Sequence, residues 1–217
     1  MKEKRLEIDT PKGPVSATLT GSGKTAPILV LAHGAGGGVD DPLLAGFAEG
    51  LSAEGISCLR FNFPYRELGK RAPDPEPVLR GAWEAAFARG AEMGSPVWVG
   101  GKSMGGRIAS MAVADGLPAA GLVFAGYPLH PPGKPERIRD AHLPSIRVPM
   151  LFLQGTRDSF ARSDLLERTI RLLGDRATLH SVDGGDHSFR IRGAPKDDLG
   201  TGRSLGAIAA RFIEALG

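Results

Sequence analysis

The feature that most constrains this chain is a repeated alternation between short, wholly apolar runs and longer stretches with helical periodicity. PILVLAHG is followed by PLLAGFAEGLSAEG, ISCLRFNF by EPVLRGAWEAAFARGAEMG, and PVWVGG by RIASMAVADG. AGLVFAG and VPMLFLQG come next, then SDLLERTIRLLG, ATLHSVD and a closing GRSLGAIAARFIEALG. Apolar runs bounded by Gly and Pro read as strands buried on both faces, and the amphipathic stretches as crossover helices. The pattern predicts an α/β chain with a mostly parallel sheet covered by helices on both sides. Two alternating segments, RLEIDT and VSATLT, flank Pro11-Lys12-Gly13-Pro14 and read as a hairpin-like pair at one end of that sheet. No internal repeat recurs at a fixed period.

With 217 residues, 41% of them hydrophobic, the chain is expected to form a single domain over 1–217. The lone Cys58 excludes an internal disulfide framework and, lying in ISCLRFNF, reads as a small buried hydrophobe. The start, MKEKRLEIDT, lacks the apolar core of a secretory signal, and no apolar run approaches the ~20 residues that span a bilayer. A cytoplasmic location with no membrane partner is the expectation. The formal charge is +3, and Lys and Arg are scattered among Asp and Glu, which leaves no basic stripe for nucleic acid.

Ligands of parallel sheets sit at the carboxyl ends of the strands. Two glycine-rich stretches there invite a phosphate-binding reading, and both fail it. A phosphate loop needs Gly five positions before the Gly-Lys pair, but Pro96 stands before Gly101-Lys102 and Thr18 before the pair in GSGKT. HGAGGG would need Gly at position 39 to match a dinucleotide fingerprint, where Val39 stands, and Arg60 at the end of the next strand is no acidic ribose ligand.

GGKSMGGR fits a different chemistry. Gly101-Lys102-Ser103-Met104-Gly105 lies between strand VWVG and helix RIASMAVADG, the strand-turn-helix context of a nucleophile elbow. A serine needs a base and an orienting carboxylate. Asp158 follows the strand in VPMLFLQGTRDSF, and His187 sits in the glycine-rich loop after the strand ATLHSVD. Asp183 and Asp186 are alternatives near His187, although adjacency makes Asp186 a poor partner. The oxyanion donors expected are the amides of Met104 and of Ala35 or its neighbour Gly36 in HGAGGG. His33 is expected to shape that loop by hydrogen bonding. His130 and His142, in an irregular stretch, read as surface or pocket-lining residues, and His180 lies inside a strand. No two histidines have zinc-ligand spacing, so neither a metal nor another cofactor is expected.

Together HGAGGG, RFNFPYRE, GGKSMGGR, GTRDSF and GGDHSF resemble the α/β-hydrolase superfamily. Within it they resemble the small dienelactone-hydrolase-like branch of bacterial hydrolases, which is related to an animal chromatin-complex subunit. The resemblance implies an α/β-hydrolase fold with an eight-stranded sheet, an antiparallel second strand and a minimal cap. It also implies Ser103 as nucleophile, Asp158 as acid and His187 as base. Dienelactone hydrolases proper carry cysteine at the elbow where this chain has Ser103. The expected activity is hydrolysis of a small-molecule ester or related acyl bond through an acyl-enzyme. Acyltransfer, thioester cleavage or a non-catalytic scaffold on the same shell are the alternatives. Gly36, Tyr65, Arg66 and Lys102 are the candidate substrate contacts. Arg66, Lys70, Arg71 and Lys102 could attract an anion, or Lys102 could pair with a nearby carboxylate and the arginines brace loops. The long loop after Tyr127 is a candidate lid.

Overall fold

The computed structural model describes residues 3–21 and 26–216. Residues 22–25, most of the GSGKT stretch, lie outside them. Eight strands form one sheet in the order β1-β2-β4-β3-β5-β6-β7-β8. They are β1 Glu3–Thr10, β2 Gly13–Thr20, β3 Ile28–Ala32, β4 Ser57–Phe61, β5 Val97–Lys102, β6 Leu122–Ala125, β7 Met150–Gly155 and β8 Ala177–Val182. β2 runs antiparallel to both β1 and β4, and every pairing from β4 through β8 is parallel. The expected hairpin at one edge and parallel body are both present.

The period of two along β3 divides the core. Ile28, Val30 and Ala32 point to the face covered by α3 (Glu76–Ala91) and α4 (Met104–Ala114), whereas Leu29 and Leu31 point to the face covered by α1 (Pro42–Ala53) and α6 (Asp198–Glu214). Each face therefore buries its own apolar cluster. A fifth long helix, α5 (Ser163–Leu173), flanks β8. α2 (Pro64–Glu67) is a short helix that follows β4. Proline at its first position, already fixed near helical φ, starts it.

α1 and α6 pack backbone to backbone. A β-carbon at Gly46 would stand 2.0 Å from the Leu199 carbonyl oxygen, and one at Gly202 would stand 2.1 Å from that of Leu43. Gly50 and Gly206 repeat the contact one turn on, so paired G-x-x-x-G stretches let the helices approach as no larger residue could. α1 is fixed at its start by Asp41, whose side chain accepts from the amides of Leu43 and Leu44. This anchors the loop after β3 that enters the site.

The connections after β3, β4, β5, β6, β7 and β8 all emerge at the carboxyl edge of the parallel sheet. The connection after β6 carries only a single 3-10 turn, Leu143–Ser145, so the cap is minimal. Among the described residues no helix is long and apolar enough to cross a membrane.

Candidate active site

β5 ends at Lys102 and α4 begins at Met104, which leaves Ser103 alone at the corner with φ 51° and ψ −116°. Such a backbone is strained for a residue with a side chain and persists only where the surroundings impose it. Here they do. A β-carbon at Gly101 would lie 2.6 Å from the Ala32 carbonyl oxygen, and one at Gly105 would lie 2.6 Å from the carbonyl oxygens of Ala32 and His33. The two glycines let the corner press against the end of β3, and Ser103 projects from it. α4 starts at Met104, three residues earlier than the apolar periodicity of RIASMAVADG indicates, because glycines carry no periodicity signal.

Ser103 Oγ lies 2.8 Å from His187 Nε2, and His187 Nδ1 lies 2.7 Å from Asp158 Oδ2. Asp158 accepts only, so Nδ1 carries the proton and Nε2 is left to accept from the serine hydroxyl. The Asp158 side chain is fully buried, which is tolerable because three donors converge on it. Besides His187 these are Gln154 Nε2 at 2.5 Å and the Phe160 amide at 2.7 Å. Asp186 instead takes the amides of Ser188 and Arg190, and Asp183 faces Thr156. The Asp186 contacts turn the loop so that His187 points inward. The Phe160 ring stacks on the imidazole with centroids 4.1 Å apart.

The loop after β3 lies against this group: a β-carbon at Gly34 would be 3.5 Å from Ser103 Cβ. His33 braces it from below. Its Nδ1–H donates to the Gly34 carbonyl at 2.7 Å, and its Nε2 accepts from the Phe63 amide at 3.1 Å. Burial pushes this imidazole down to about 4, so it is neutral near neutral pH. Tyr65 O–H donates to the Ala35 carbonyl at 2.7 Å, which fixes the peptide that follows Ala35. Among the described residues the amides of Met104 and Ala35 have no acceptor. Both N–H groups therefore remain available for a ligand.

Of the candidate substrate contacts, Gly36 and Arg66 line an open cavity of about 380 Å³ together with Gly37, Gly38, Asn62 and Asp41. Tyr65 and Lys102 do not. Tyr65 is 0% exposed, its ring packed beside His33 and Phe63, because the loop needs a rigid support beneath it. Lys102 turns away from the cavity toward Gly126 and Phe189, and no carboxylate among the described residues pairs with it within 4.0 Å. His130, expected at the surface or lining a pocket, is buried, with Nδ1 donating to the Pro131 carbonyl and Nε2 accepting from the Arg162 amide. His142 is half-buried and meets Ser110 Oγ at 2.7 Å, which ties the loop after Tyr127 to α4. No three His, Cys, Asp or Glu side chains among the described residues converge as a metal-binding group.

Gln154 and Phe160 were not legible as site residues. The available signal was Gln154 itself, a polar residue inside the apolar run VPMLFLQG and four positions before Asp158.

Solved structures similar to this chain share its whole architecture. An esterase domain from Rhodothermus marinus superposes with a TM-score of 0.74 at 16% identity, covering 100% of each chain. An α/β serine hydrolase without lid from Xanthomonas campestris gives 0.76 at 20% identity, covering 98% of this chain and 95% of that one. A dienelactone hydrolase from Anabaena variabilis gives 0.75 at 18% identity, covering 99% and 97%. At these identities the likeness is one of fold. The model of the family described as alpha/beta hydrolase domain matches residues 25–214, and the chain accordingly belongs to the alpha/beta hydrolase family.

Proposed function

We propose that the chain is a serine hydrolase of esterase type, working as a single domain without a cofactor on a small-molecule acyl substrate. The observation that carries this reading is the unbroken hydrogen-bonded series from Ser103 through His187 to Asp158 at a strained strand-helix corner. A scaffold gains nothing from holding a serine in that backbone or from burying a carboxylate behind a histidine.

In this reading His187 Nε2 takes the Ser103 proton as Oγ attacks the acyl carbonyl. Asp158 holds the tautomer and stabilises the imidazolium. The tetrahedral oxygen turns toward the Met104 and Ala35 amides, each worth about 3 kcal/mol of transition-state stabilisation in comparable sites. Collapse expels the leaving group with the proton from His187, and water repeats the sequence on the acyl-enzyme.

The short connection after β6 favours small or exposed acyl groups over a long buried chain. The similarity to an esterase domain from Rhodothermus marinus and to a serine hydrolase without lid from Xanthomonas campestris supports the same class.

The test is covalent labelling by a fluorophosphonate, read by intact mass on the wild type, Ser103→Ala and His187→Ala. Single addition to the wild type that is lost in both variants is expected. No addition, under conditions where a control hydrolase labels, would sink the reading. Product analysis with added alcohols, amines and thioesters then separates hydrolysis from acyl transfer and thioester cleavage.

A further inference from the structure

Among the described residues two that are not glycine have a positive φ. One is Ser103 at the corner of the elbow. The other is Phe189, at φ 62°, two residues after His187. For a bulky aromatic residue such a backbone is an outlier, because the β-carbon crowds the neighbouring peptide, and glycine is the ordinary occupant.

The loop that carries His187 requires that conformation. Gly185 and Ile191 pair as an antiparallel bridge, the Asp186 amide donates to the Arg190 carbonyl at 3.0 Å, and the Phe189 amide donates to the Asp186 carbonyl at 2.9 Å. Asp186 Oδ1 closes the turn further by accepting from the Ser188 and Arg190 amides at 2.7 and 3.0 Å. His187, Ser188 and Phe189 thus form a three-residue hairpin loop, a class in which the last residue takes a positive φ and is ordinarily glycine. His187 stands at its first position.

Glycine would complete this turn without strain. What phenylalanine adds is a ring directed inward: Phe189 is 3% exposed and belongs to the apolar cluster on the α1 and α6 face, with Leu31, Leu153 and Leu205. On another side its ring centroid lies 5.8 Å from Lys102 Nζ, the side chain that precedes the nucleophile. The base of the loop is held separately, by the Arg157 amide on the Gly185 carbonyl at 2.8 Å. After His187 the chain has the Phe189 ring within and the Arg190–Asp198 pair at the surface, and a surface pair of this kind contributes little. Asp158 and Phe160 orient the imidazole, but only once the loop has brought it to them.

We propose that Phe189 is a positioning residue for His187: its buried ring anchors the hairpin loop to the core, and the backbone strain at φ 62° is the cost of placing an anchor where the turn calls for glycine. The inference rests on the serine-hydrolase reading for its meaning, whereas the anchoring itself exists without turnover.

The experiment compares Phe189→Gly, Phe189→Ala and Phe189→Leu by fluorophosphonate labelling and ester turnover, at a temperature where circular dichroism shows each to be folded. Without the ring, labelling and kcat are expected to fall by about tenfold to a hundredfold, the scale of a displaced catalytic group. KM should stay nearly constant, because His187 serves both formation and breakdown of the acyl-enzyme. Phe189→Leu, which keeps an apolar anchor, should label within about threefold of the wild type. Phe189→Gly should melt no lower than Phe189→Ala, the reverse of the usual order, since only glycine relieves the strain. A folded Phe189→Gly or Phe189→Ala that labels at the wild-type rate overturns the proposal, as does a Phe189→Leu as slow as either. A Phe189→Gly that melts well below Phe189→Ala overturns the strained anchor. If neither small variant folds, Phe189→Leu carries the comparison alone, and wild-type labelling in it overturns the proposal. A wild type that is never labelled at Ser103 defeats the hydrolase reading instead. Carbon-13 relaxation of the His187 ring then decides the role of Phe189: greater ring mobility in Phe189→Gly is expected, and equal mobility overturns it.

Discussion

Gln154 donates through Nε2 to Asp158 Oδ2 at 2.5 Å, and that oxygen is the one facing His187 Nδ1 at 2.7 Å. The other end of the same amide accepts from the Tyr127 backbone N–H at 2.8 Å. Gln154 thus links the turn after β6 to the carboxylate after β7 and prevents Asp158 from rotating away from the histidine. Replacing it with alanine strips partners from two buried groups, a loss of about 1–3 kcal/mol in stability for such a change. Urea unfolding of Gln154→Ala should show that decrease, and kcat/KM on an ester should fall by roughly tenfold through the loosened carboxylate. An unchanged kcat/KM in this variant would mean that Asp158 is held by the His187 and Phe160 contacts alone.

Gly105 and Gly36 provide a contrast within one site. A β-carbon at Gly105 would stand 2.6 Å from two carbonyl oxygens, whereas one at Gly36 would meet nothing within 4 Å. Overpacking of this kind costs about 1–3 kcal/mol or more, and here the displaced segment carries Ser103. Gly105→Ala is therefore expected to lower the melting temperature and abolish fluorophosphonate labelling. Gly36→Ala should melt with the wild type, and any change in its activity reports on the cavity it lines. Equal melting temperatures for the two variants would show that the corner is less tightly held than its contacts imply.

Much of this arrangement was legible because each feature has a local signature. The elbow lies between an apolar strand and a helix, and Asp158 and His187 each follow the end of a strand. In a parallel sheet those ends share an edge, so residues far apart in sequence converge without further information. The residues that escaped sequence reading depend on contacts across that edge. Tyr65 resembles a pocket residue in FPYRE, yet it is buried because His33 and Ala35 need a support beneath the loop. The direction of Lys102 is set by the open space at Gly126 and by Phe189, two loops away in the sequence. The burial of His130 follows from the Arg162 amide that it accepts, 32 residues distant.

Phe160 lies flat against His187, with ring centroids 4.1 Å apart and an interplanar angle of 27°. The stack limits the orientations of the imidazole and shields one face from water. Phe160→Ala should retain the fold and the Asp158 contact of its own amide, because that hydrogen bond is made by the backbone. Its labelling rate should drop by roughly fivefold to tenfold, about 1 kcal/mol, the scale of one aromatic pair. Phe160→Trp should preserve most of the rate. A Phe160→Ala protein that labels as fast as the wild type would assign the ring to packing alone.

His33 links the stability of the fold to pH through the loop that carries Ala35. Burial holds its imidazole down at about 4, whereas in the unfolded chain it titrates at its ordinary value of 6.5. Between those values the unfolded chain binds a proton that the folded one refuses, so stability rises with pH across the interval. The contribution is fully present above about 6.5, falls as the pH drops, and is exhausted near 4, where the folded protein binds the proton as well. A gap of this size corresponds to about 3 kcal/mol. His33→Gln, whose amide can still donate toward Gly34 and accept from Phe63, lacks the titration. His142, also held low by burial, remains in the variant and cancels from the comparison. Urea midpoints measured from about pH 7 down to about pH 4.5 should therefore fall more steeply for the wild type than for His33→Gln. Parallel curves would show that protonation of His33 is not what loosens the loop beside Ser103 in acid.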